Sequence, residues 1–84
     1  MHITLRLFAA ARVAAGRGED TFDLPDGATV DDVLAAARAR YGDEFTEVLS
    51  HARVWVNGDE PTAGNAAAVR ERDEIAVLPP VSGG

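Results

Sequence analysis

Between Thr29 and Gly42 the chain carries a pattern that suits one kind of structure. Val30, Val33, Leu34, Ala37 and Tyr41 recur at helical spacing. Thr29 stands three positions before Asp32, close to the spacing of a capping box. Asp31 and Asp32 lie at the positive end of the helix dipole, Arg38 and Arg40 at the negative end, and Gly42 follows as a stop. This is the one main helix, and what surrounds it alternates.

Ile3, Leu5 and Leu7 interleave with Thr4, Arg6 and Phe8, the period of a half-buried strand. Ala9 to Ala15 favours a short helical turn, ended by Gly16 and Gly18, and Thr21 to Leu24 reads as a second short strand that forms a wide-looped hairpin with the first. Pro25-Asp26-Gly27 is turn chemistry. Phe45, Val48 and Leu49 suggest a further short helical or irregular segment over the core. Arg53 to Val56 alternates again and runs into Asn57-Gly58, a strong signal for a tight turn. A loop with a brief edge strand is expected between Pro61 and Ala68, and Glu74 to Leu78 is the final strand, stopped by Pro79 and Pro80. A helix packed across a mixed sheet of four to five strands is an α+β roll, and the order suits a β-grasp.

With 84 residues, 46% apolar and 26% charged, the sequence is expected to form a single domain over residues 1–84. No transmembrane run or leader is visible, so a cytoplasmic location with no membrane partner is expected. A net charge of -6 argues against nucleic acid and favours an electropositive protein partner. There is no cysteine, which excludes disulfides, thiolate metal sites and any persulfide or thioester on a side chain. Lysine is absent too, leaving Met1 as the amine of the chain.

Few side chains suggest chemistry of their own. Asp31 and Asp32 are explained by the helix N-terminus, and Asp43, Glu44 and Glu47 by a solvated charge cluster. His2 and His51 lack partners for a ligand set, so no metal is expected, and Ser82 has no neighbouring base. Trp55 points away from Val54 and Val56, either as core on a second face or as an interface anchor.

What remains is the end, Leu78-Pro79-Pro80-Val81-Ser82-Gly83-Gly84. Each proline lacks an N–H and fixes its φ, which directs residues 79–84 out of the fold as a stiff, exposed tail. Gly83 and Gly84, without side chains, can pass a narrow channel and carry the terminal carboxylate to a buried reaction centre. A carboxylate is a poor acyl donor until activated; adenylation by a partner using ATP supplies the leaving group.

Leu5-Arg6-Leu7-Phe8-Ala9, Pro25-Asp26-Gly27-Ala28-Thr29-Val30, Val56-Asn57-Gly58 and the run from Asp73 to Gly84 together resemble the small subunits of molybdopterin synthase, ubiquitin-like sulfur carriers ending in Gly-Gly. The resemblance implies a ubiquitin-like fold and a carrier that is not an enzyme on its own and binds no cofactor. It implies that Gly84 is adenylated by an E1-like enzyme, converted to a thiocarboxylate with a sulfurtransferase, and inserted into the synthase large subunit. There it donates sulfur to cyclic pyranopterin monophosphate. On this resemblance Gly83 and Gly84 carry the chemistry, and Leu78, Pro79, Pro80, Val81 and Ser82 dock the tail. One departure stands out: relatives often place Gly-Asp-Glu before the last strand, where this chain has Arg72-Asp73-Glu74. The same ending also suits carriers for cysteine or thiamine synthesis, though Asn57-Gly58 lies late for the thiamine type. It suits a protein modifier conjugated through Gly84, and a binding domain with an inert tail.

Overall fold

The computed structural model describes residues 1–80. β1 (His2–Leu7) is followed by α1 (Ala9–Ala15), β2 (Glu19–Asp23), α2 (Val30–Tyr41), α3 (Asp43–Leu49), β3 (Arg53–Val56), a 3-10 turn (Gly64–Ala66) and β4 (Glu74–Leu78). The strands form one mixed sheet in the order β2-β1-β4-β3. β1 pairs antiparallel with β2, Ile3 opposite Phe22, and parallel with β4, Leu5 opposite Ile75; β4 pairs antiparallel with β3. This is the α+β roll of the β-grasp, with four strands rather than five. In the region expected to hold an edge strand, the 3-10 turn and one bridge between Thr29 and Ala68 take its place.

Strand alternation sends one side of the sheet inward. Ile3, Leu5 and Leu7 of β1 and Ile75 and Val77 of β4 are buried, and they share a core with Val30, Val33, Leu34 and Ala37 of α2 and Phe45 and Leu49 of α3. Because α2 shows its apolar stripe to this face, burial fixes how it lies on the sheet. Its start is the expected capping box: the Asp32 N–H donates to Thr29 Oγ1 at 3.3 Å, and the Thr29 N–H donates to Asp32 Oδ2 at 2.8 Å. Gly42, at φ 93, ends α2 and lets the chain turn directly into α3.

Two local expectations change in three dimensions. The second strand lies at Glu19–Asp23 rather than Thr21 to Leu24, because its register is set by β1. Asn57-Gly58, at φ 51 and 87, does make a tight turn, but the return is a single bridge from Val56 to Asp59. The long-range partner of β3 is β4, so no two-strand hairpin forms there.

Candidate functional site

β4 delivers the tail. Its residues alternate between the core (Ile75, Val77) and the opposite side of the sheet (Glu74, Ala76, Leu78). The register with β3 sets Trp55 opposite Ala76 and Arg53 opposite Leu78, while Arg6 of β1 flanks Ala76 from the other side. Beyond β1, Phe8 donates its N–H to the Val77 carbonyl at 3.3 Å and leaves its ring 39% exposed, with the Arg6 guanidinium 5.9 Å from the ring centre. The outer face of the sheet at the root of the tail thus carries Phe8, Trp55, Ala76 and Leu78, bordered by Arg6 and Arg53. Arg6 is half-engaged with Glu74, 3.8 Å away. Trp55 is on the second face, half-buried, and its indole Nε1 is buried with no hydrogen-bond partner. An apolar patch with an indole and arginines is the composition that protein interfaces favour.

Past Leu78, Pro79 is buried and Pro80 exposed, so the first proline belongs to the fold rather than to the exposed tail expected over residues 79–84. The reason is a shallow groove of about 180 Å³ lined by Ala10, Val48, His51, Pro79 and Pro80, where α1 and α3 support the first proline ring. Leu78 therefore belongs to the outer face, while Pro79 turns to the helix side of the sheet and Pro80 is exposed. Val81, Ser82, Gly83 and Gly84 lie outside the described residues.

Apart from His51, which lines the groove around Pro79, the remaining candidates separate from the tail. Asp31 and Asp32 stay in the first turn of α2 and Asp43, Glu44 and Glu47 on α3, with Glu47 3.3 Å from His51 Nε2. His2 pairs with Asp23 across the edge of the sheet. Among the described residues no group of His, Asp and Glu has the arrangement of a metal site, and no helix is long and apolar enough to cross a membrane.

The most perturbed ionisable groups were not legible as a cluster in the sequence. Asp20, on β2, accepts from the Tyr41 hydroxyl at 2.5 Å and from Arg40 Nη1 at 3.0 Å, with Arg17 Nη1 at 3.3 Å. The Tyr41 hydrogen bond, with help from Arg40, lowers the Asp20 carboxyl to about 2. Burial, and then the bond to Asp20, pushes the Tyr41 phenol up to about 12. Arg40 also lies over the Phe22 ring at 3.8 Å, and Tyr41 makes edge contacts to Phe22 and Phe45. This set fastens the end of α2 to β2, on the far edge of the sheet from β3, and serves the fold rather than the tail.

The ThiS family matches residues 5–84, a span that takes in both the outer face and the Gly-Gly end. The chain belongs to the ThiS family. Over all of both chains this ThiS-family protein is 34% identical to the molybdopterin synthase sulfur carrier subunit of Chlamydomonas reinhardtii. It is 37% identical to small archaeal modifier protein 3 of Haloferax volcanii, again with full coverage of both. The crystal structure of SAMP1 from Haloferax volcanii superposes with a TM-score of 0.89 at 30% identity, covering 100% of each chain. The likeness to molybdopterin synthase small subunits carried by the four segments from Leu5 to Gly84 holds along the whole sequence, and the ubiquitin-like fold comes with it.

Proposed function

We propose that the chain is the sulfur-carrier small subunit of a molybdopterin synthase, with the outer sheet face as its docking surface and Gly84 as its reactive end. The observation that carries this reading is full-length similarity to a protein named a molybdopterin synthase sulfur carrier subunit, combined with the terminal Gly83-Gly84 pair of the sequence. The Gly84 carboxylate attacks the α-phosphate of ATP on an E1-like enzyme, giving an acyl-adenylate and releasing pyrophosphate. Sulfide delivered by a sulfurtransferase displaces AMP and leaves a thiocarboxylate. The tail enters the large subunit and passes its sulfur to cyclic pyranopterin monophosphate; water then restores the carboxylate. With no cysteine in the chain, sulfur has no side-chain thiol to ride on.

A second reading has its own support, since the small archaeal modifier relative is as similar as the sulfur carrier subunit. In it the same acyl-adenylate is transferred to an amine of a target protein. Both readings use Gly84 and diverge after activation. Incubation with ATP, an activating enzyme and a sulfur source tests them together: the carrier reading expects the intact mass to rise by the difference between sulfur and oxygen, with fragments assigning it to Gly84. Absence of that shift under conditions that charge a known carrier overturns it, and Gly84-linked branched peptides on other proteins establish the modifier.

A further inference from the structure

An activated acyl group endangers its own carrier, because any accessible amine nearby captures it as an amide. This protein has none on its side chains: all eight basic residues other than histidine are arginines, and arginine stays protonated and is not an acyl acceptor. The remaining primary amine is the α-amino group of Met1. It is engaged, donating to the Leu24 carbonyl at 2.6 Å in a part-buried setting, while the Leu24 N–H donates to the Met1 carbonyl at 2.9 Å. These reciprocal bonds extend the β1–β2 ladder by one more pair, and Met1 packs against the core. For the nitrogen to attack, its N–H···O contact must break and the end of β1 must lift off Leu24.

Two of the hydroxyls among the described residues are engaged, and the histidines offer no lasting alternative. The Tyr41 hydroxyl is held by Asp20 and its phenol is pushed up to about 12. The Ser50 hydroxyl donates to the Glu47 carbonyl. An acyl group caught by His2 or His51 would be an acyl-imidazole, which water cleaves back to the carboxylate.

We infer that the fold is a one-way acyl donor, whose only amine is sequestered by the Leu24 carbonyl so that neither the same molecule nor a second copy accepts the activated C-terminus. This rests on the reading of Gly84 as an acylating end, whichever acceptor that end finally serves. A donor of this kind is never a branch point.

The amine is tested without involving Gly84. The folded chain is treated with an acyl N-hydroxysuccinimide ester, an activated carboxyl that seeks amines, beside a free peptide of the sequence of residues 1–5. The Met1 amine of the folded chain is expected to acylate about tenfold more slowly than the same amine in the peptide, the order expected for one charged hydrogen bond. Acylation of Met1 at the peptide's rate overturns the inference. Because the readout needs neither ATP nor the tail, its outcome is separate from that of the thiocarboxylate experiment.

Discussion

The backbone N–H of Arg72 donates to the carbonyl of His2 at 2.8 Å, tying the turn before β4 to the start of β1. Arg72 holds that position at φ 69, in the left-handed region, which is where the family resemblance leads one to expect glycine. The turn keeps its shape with a residue that strains to adopt it. The strained residue precedes β4, whose pairing with β1 keeps its register from Glu74 to Val77.

Arg72→Gly is therefore expected to stabilise the protein by about 0.5–1 kcal/mol, the relief of left-handed strain less the entropy glycine loses on folding. Urea unfolding measures it. A destabilised variant would mean that contacts of the arginine outweigh its backbone strain.

The Asp20–Tyr41 pair sets an acid limb on stability. The Asp20 carboxyl is depressed to about 2 in the fold against about 3.9 in an unfolded chain, so its contribution is present above pH 4 and is lost as pH falls toward 2. Screening by solvent keeps this to about 1 kcal/mol. Asp20→Asn should flatten that limb of the stability–pH profile. Tyr41, raised to about 12, contributes below pH 10 and loses its contribution as pH climbs through 12.

Thr29→Ala removes the acceptor for the Asp32 N–H and half of the capping box, and is expected to cost about 1 kcal/mol in thermal or chemical unfolding. Asp32→Ala should cost a similar amount. The double variant should lose less than the sum, because the two bonds form one reciprocal unit.

Phe8→Ala or Leu78→Ala is expected to weaken binding to the activating enzyme or the synthase large subunit by about tenfold or more, read by calorimetry. Val13→Ala, 78% exposed on α1, is the control and should bind as the parent does. Equal losses at all three positions would remove the outer sheet face from the proposal.

Deleting Gly83 and Gly84 should change stability by less than about 0.5 kcal/mol, since the buried pattern of β4 ends at Val77 and Pro79. Thiocarboxylate formation should vanish. A truncated chain that still supported sulfur transfer would defeat the proposed mechanism.

What depends on neighbours a few positions apart is legible in the order of residues alone. The span of α2 follows from a 3.6-residue stripe between a Thr29/Asp32 cap and Gly42, and β1, β3 and β4 follow from alternation. The Gly-Gly end was legible because it depends on residue type and position in the chain alone. Which strands meet is settled on assembly of the fold. The parallel pairing of β1 with β4 joins Leu5 to Ile75 across nearly the whole chain, and because β4 occupies β3, the Asn57-Gly58 turn leads to one bridge and no further. Asp20 looks like any loop-flanking acid until Arg40 and Tyr41 arrive from the end of α2, and Pro79 looks exposed until α1 and α3 close on it. Local spacing encodes the period of an element, whereas partners distant in sequence are chosen by shared burial of whole faces, a free energy that exists only once the elements are assembled.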